Sequence, residues 1–309
     1  VGASKALNSK REGTMENSMT RKAQQSLRRQ LFAYFLATFA FSWGIFGAAL
    51  AFGFAQSPIV ILGIWGPTLS AITLTAVFYG KAGLKRFFAR FRFATGLRWF
   101  LPLLAFFLVI GISGRFIGST IADIEFDPKF WGWAWVGQVM ITQLLFAGMG
   151  EEFGWRGFAL QRLQQVTTPV KATLLIAFFH LLWHAPTYWL GQGMHNVPAI
   201  WSVFFLLPWT ILFTWAYNRS GGSIAVSVFF HATMGATLSY TAFLPSERVI
   251  PITPELITMT WLPDGLMGPY LGVATLYWLL AIYILRGGFG GLGEPPEFEH
   301  PLEAGNVSG

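Results

Sequence analysis

The chain has 309 residues, 54% of them hydrophobic and 11% charged, with a mean hydropathy of +0.51. Soluble domains carry about 25% charged residues, so the composition excludes an ordinary water-soluble enzyme. The absence of cysteine rules out disulfides and thiolate metal sites, and a formal charge of +7 in so apolar a chain points to lipid headgroups rather than nucleic acid.

Residues 1–30 are polar and basic, from Lys5 to Arg28 and Arg29, and are read as a cytoplasmic N-terminal arm. The apolar run that follows, from Leu31 to about Ala55, exceeds the roughly 7–15 residues of a signal-peptide core and is read as a retained first span. Further apolar runs approach the ~20 residues that cross a bilayer as a helix. Together they give eight predicted spans, at 31–54, 58–79, 99–119, 132–150, 172–190, 199–217, 222–244 and 268–286. Helices are the expected form because each satisfies its own backbone hydrogen bonds in lipid. The fold class is therefore all-α, a polytopic membrane helix bundle over residues 31–286. The stretch 80–98, which mixes Phe with Arg, is expected as an interfacial helix. The tail 287–309, with Gly, Pro and four glutamates, is expected to be disordered and cytoplasmic. With eight spans, 18 of the 21 basic residues fall on one face, leaving Arg115, Lys129 and Arg248. The positive-inside rule makes that face cytoplasmic, with both termini inside a bacterial-type plasma membrane.

Ionisable groups at membrane depth are costly and mark functional sites. Three segments carry them: Gly150-Glu151-Glu152-Phe153-Gly154-Trp155-Arg156 at the cytoplasmic end of the fourth span, His180-Leu181-Leu182-Trp183-His184 in the fifth, and His231 in the seventh. Adjacent carboxylates on a helix point about 100° apart, so Glu151 and Glu152 have different neighbours. Glu152 and Arg156 share a face and suit an ion pair. A solvated helix end would account for the acidic pair alone, and a hydrogen-bonded core role for any one histidine. Their joint occurrence favours chemistry: three of the five histidines lie in predicted spans, while His195 and His300 fall in a loop and the tail and receive no role. A carboxylate paired with an imidazole can deprotonate water, and a further imidazole can stabilise a developing oxyanion. Two histidines at i, i+4 plus a glutamate also imitate the ligand set of hydrolytic zinc sites, although no H-E-x-x-H is present.

The three segments resemble the CPBP family, which includes the type II CAAX prenyl endopeptidases and the bacteriocin-processing and immunity proteins. Its pattern is E-E-x-x-x-R, then F-x-x-x-H, then H-x-x-x-N or D, on an eight-helix membrane fold. Glu151, Glu152 and Arg156 match the first motif, His184 the second and His231 the third, over roughly residues 130–240. The resemblance implies Glu151 as the general base with His184 as its partner, His231 at the substrate carbonyl, and Glu152 and Arg156 as a supporting pair. Two positions depart: His180 replaces the aromatic of the second motif, and Gly235 replaces the Asn or Asp of the third. Loss of an oxyanion donor costs ~10²–10³ in rate, and His180, Thr233 and Ser239 are the candidates to replace it.

The reading is an intramembrane endopeptidase. It acts by glutamate-activated water on a membrane-associated peptide or protein, with or without a C-terminal lipid. A divalent metal such as zinc, held by Glu151, His184, His231 and His180, stays open as a cofactor. The alternatives are a non-catalytic immunity or partner-binding membrane protein, favoured by Gly235, and an ion or proton transporter using the same polar groups.

Overall fold

A computed structural model of the chain describes residues 2–124, 133–191, 197–240 and 253–297, with side chains described throughout these except at 2–20, 133–136 and 237–240. The fold is all-α, with no strand among the described residues. The long helical elements are α1 (Gly2–Ala51), α2 (Gly66–Ala89), α3 (Phe93–Ile121), α4 (133–166), α5 (Pro169–His184), α6 (Ala199–Arg219), α7 (Ile224–Tyr240) and α8 (Met267–Leu285). Among the described residues, four stretches are long and apolar enough to cross a membrane: Arg21–Ala51, Gly66–Ile121, Ala199–Arg219 and Met267–Leu285, the second containing both α2 and α3. Large apolar side chains such as Phe32, Val77 and Leu101 point outward, exposed by 72%, 70% and 68%. That surface suits lipid tails and would be costly in water. The bundle is an integral membrane fold, as the hydropathy required.

The eight predicted spans fall on α1 to α8 in order, with one substantial difference in the fourth. α4 does not stop near residue 150. It continues to Val166 as α-helix Trp133–Thr142, π-helix Gln143–Gly148, α-helix Met149–Gly154, π-helix Trp155–Leu160 and α-helix Gln161–Val166. The acidic pair thus sits inside a long helical run, between two wide turns of a kind that often marks functional sites. Arg156 and Arg162, expected in a basic cytoplasmic connection, are instead buried within α4. Each has local partners that make this tolerable: Arg156 pairs with Glu152, and Arg162 donates to Gln30 Oε1 and to the Phe158 carbonyl.

Residues 80–98 also depart from expectation. Gly80 takes a positive φ of 59°, open to glycine without a Cβ penalty, and breaks α2 where the predicted span ends. Beyond it the chain packs against α4 and α6. Phe87, Phe88 and Phe91 pack on Phe153 of α4, and Arg90 donates to the Gly157 carbonyl, Gln161 and Tyr217. The tail is the third correction. Through residue 297 it packs against the α6–α7 turn: Leu292 is buried, its carbonyl accepts from Asn218, and Pro296 lies beside Gly222. An apolar side chain and a bonded carbonyl outweigh the loop-like composition; 298–309 lie outside the described residues.

Close helix contacts rest on small residues. On α3, a Cβ at Gly114 would stand 2.5 Å from the Cα of Val273, and one at Gly118 would stand 3.0 Å from the Cα of Pro269. Gly268 and Gly272 of α8 face them. This small-xxx-small pairing lets two backbones touch, the main source of helix association where lipid removes the hydrophobic drive. α5 begins at Thr168, whose Oγ1 accepts from the Lys171 amide, with Pro169 at the first helical position.

Candidate active site

Glu151 and Glu152 enter the core from the short α-helical turn between the two π segments of α4. Glycine on either side allows this. A Cβ at Gly150 would meet Trp65 at 3.0 Å, and one at Gly154 would meet the Pro67 backbone and the Tyr34 hydroxyl at 2.5 Å. The start of α2 therefore lies directly on the acidic turn, and Thr68 Oγ1 donates to the Met149 carbonyl at 2.7 Å. Gly150 and Gly154, four residues apart, present the small-residue face that such a close approach needs.

The two carboxylates serve different neighbours, as their divergence on the helix requires. Glu151 is 3% exposed. Its Oε2 lies 2.8 Å from Nε2 of His180, and that nitrogen lies 3.2 Å from Nε2 of His184. The direct partner of Glu151 is thus His180, with His184 next in line, rather than His184 itself. Both histidines project from one face of α5, one turn apart, and Trp155 packs over His180 with ring centroids 5.0 Å apart. One Nε2–H on His180 cannot donate to Glu151 while the same atom accepts from His184. The trio therefore suits a mobile proton or a cation among its atoms.

Glu152 is fully buried and faces the other way. Its Oε1 accepts from Arg156 at 2.8 Å and from Nδ1 of His231 at 2.8 Å. Arg156 is further held over the Phe213 ring, 3.8 Å from its centroid. A hydrogen-bonded buried pair of this kind is costly to break, because the survivor is left as an unpaired charge. With Nδ1 engaged as a donor, His231 keeps Nε2 as its remaining nitrogen, and donation from Nε2 needs the doubly protonated ring. Adjacent residues of α4 thus bring together Glu151, His180 and His184 on one side, and Glu152, Arg156 and His231 on the other.

The metal expectation changes in membership. The donor atoms of Glu151, His180 and His184 all lie within 4.8 Å of one another, a set able to hold a metal ion. His231 is outside that group; its Nδ1 meets Glu152 instead. Two imidazoles and a carboxylate match the donor types of hydrolytic zinc sites. Of the candidates to replace the missing side chain at 235, Thr233 turns its hydroxyl onto the Phe229 and Phe230 carbonyls of its own helix, and the Ser239 side chain lies outside the described residues. His195 also lies outside them.

A cavity of about 250 Å³ opens against His184, its wall formed by residues that include Leu181, Leu182, Tyr188, Trp189 and Ile257. Its polar wall groups are turned on each other, Tyr188 and Ser202 sharing a 2.6 Å hydrogen bond. The result is an apolar chamber with one imidazole at its edge.

Fold and site together define an integral-membrane helix bundle built around a buried carboxylate–imidazole centre. The family model described as Type II CAAX prenyl endopeptidase Rce1-like matches residues 132–237. A protein named CAAX prenyl protease 2, from Methanococcus maripaludis, is 27% identical over 236 residues, covering 70% of this chain and 87% of its own length. These findings support the CPBP/CAAX protease family, as the three motifs implied, and with it a protease at a membrane.

Proposed function

We propose that the protein is an intramembrane endopeptidase that cleaves a peptide bond of a membrane-associated or C-terminally lipidated peptide or protein, using water activated by Glu151. The observation that carries this reading is the buried cluster of Glu151, His180 and His184, in which His180 Nε2 lies within hydrogen-bond distance of both other side chains. Glu151 takes a proton from water, and the hydroxide so formed attacks the scissile carbonyl carbon. The carbonyl oxygen becomes an oxyanion beside His231. The proton then passes to the leaving amine as the C–N bond breaks. Glu152 and Arg156 act as positioning residues, fixing His231 through its Nδ1. The apolar chamber at His184 fits a substrate that brings a lipid or an apolar segment to the cleavage point, and the name of the methanococcal relative supports a prenylated one.

The test is Glu151→Gln in full-length protein reconstituted in lipid, assayed with an internally quenched peptide ending in a farnesylated Cys-aliphatic-aliphatic-X. Activity is expected to fall below detection while the melting temperature and membrane insertion stay unchanged. Unaltered turnover would remove Glu151 from the role of base.

The clustering of Glu151, His180 and His184 favours a second reading, in which the same trio binds a metal. A metal there would supply Lewis-acid polarisation and acidify a bound water. Metal analysis of the purified protein, paired with the cleavage assay in chelator, separates the readings. Full activity without bound zinc selects the glutamate alone. Loss in chelator with recovery on adding zinc selects the metal site.

A further inference from the structure

Gly235 stands one helical turn beyond His231 on α7, on the same face. The space its side chain would fill is taken by another residue. An ideal Cβ on Gly235 would contact the Gln143 carboxamide, with Oε1 nearest, Cδ at 2.7 Å and Cγ at 3.2 Å. Gln143 is the first residue of the π-helical turn Gln143–Gly148. At the other end of that turn, a Cβ on Gly148 would stand 2.9 Å from the Val228 carbonyl. The pairs Gly148/Val228 and Gln143/Gly235 show α4 and α7 running antiparallel in contact, with His231 lying between the two touch points. The π turn and the two glycines are what bring a long side chain of α4 onto the face of α7 that carries His231.

A primary carboxamide is an expensive group to place among apolar spans unless it meets a ligand. Gln143 is only partly buried, and no side-chain hydrogen bond to it is found among the described residues. Its Oε1 lies against Gly235, so Nε2, with two N–H donors, is the end farther from the glycine. A neutral amide donor one turn from an imidazole is the arrangement an oxyanion needs, because charge developing on a carbonyl oxygen is best met by two preset donors.

We propose that Gln143 is a catalytic residue, donating from Nε2 to the substrate carbonyl oxygen alongside His231 and replacing across the helix interface the side chain that Gly235 lacks. The proposal rests on the hydrolytic reading above. Because the amide acts where charge grows, its loss acts on kcat rather than KM.

The experiment uses the full-length protein in lipid and the same farnesylated quenched peptide. Gln143→Ala and the near-isosteric Gln143→Glu are each expected to lower kcat by about 10²–10³ with KM changed less than threefold. In Gln143→Ala the space beside Gly235 is open, so Gly235→Asn added to it is expected to recover at least tenfold in kcat. Gly235→Leu, similar in shape but with no donor, is expected to recover nothing, which separates donation from mere filling of space. Wild-type kcat in Gln143→Glu, or equal recovery by Asn and Leu, overturns the assignment. Glu151→Gln, run in parallel, keeps the two readings apart: if it is inactive while Gln143→Glu is fully active, the water-activating base stands and only the role of Gln143 falls.

Discussion

At the scale of single residues, the site works through divergence. Glu151 and Glu152 are consecutive, and the helix aims them at different helices, α5 and α7. His180 is the residue that most changes the expected wiring. The family pattern has an aromatic there, and this chain inserts an imidazole between the base and His184. If the two histidines act as one relay, His180→Phe and His184→Ala should each lower kcat by about 10²–10⁴, and the double variant should cost little more than either alone. Groups acting as a unit are non-additive in this way. Fully additive losses in the same cleavage assay would show two separate roles. On the other carboxylate, Glu152 Oε1 accepts from both Arg156 and His231, which anchors the His231 ring.

At the scale of helices, glycine spacing and π turns set the geometry. Gly150 and Gly154 admit Trp65, Pro67 and Tyr34 against the acidic turn, and any Cβ at Gly154 meets backbone at 2.5 Å. Backbone cannot step aside as a flexible side chain can. Gly154→Ala is therefore expected to destabilise the protein by about 1–3 kcal/mol through overpacking and to lower the melting temperature in detergent. It should also reduce cleavage, because the turn carrying Glu151 must shift. Gly137, with nothing within 4 Å of an added Cβ, is the control position at which alanine should leave both readings unchanged. The π segments account for a limit of sequence reading. Hydrophobic periodicity of 3.6 assumes a regular helix, and two wide turns alter which residues share a face. The apolar run of the fourth span ends at Glu151 and Glu152, while the helix itself continues through both π turns to Val166.

At the scale of the whole molecule, the apolar exterior and the helices of α1 to α8 make an integral membrane bundle. Orientation follows from charge. By the positive-inside rule, the basic excess of the N-terminal arm and the 80–98 stretch predicts both termini on the cytoplasmic side. The cysteine-free chain makes this simple to check. Single substitutions Ser9→Cys and Ser308→Cys are expected to resist a membrane-impermeant maleimide in intact cells, whereas Ser246→Cys, in the α7–α8 connection, is expected to label. The opposite pattern would reverse the topology. Burial of Arg156 and Arg162 removes two charges from the face that supported this orientation, and the remaining asymmetry is still large.

The sequence by itself determined the solvent, the helical class and the ionisable residues at issue. Composition and run length report directly on burial in lipid, and a charged group in an apolar run stands out without any coordinates. The pairing of those residues was decided only by tertiary structure. Glu151 meets His180 rather than His184, Glu152 holds His231, and Gln143 fills the place left by Gly235, because α4, α5 and α7 come together around the glycine contacts and π turns of α4. Such contacts depend on where backbones can touch, a property of shape between helices that no pattern along a single helix encodes.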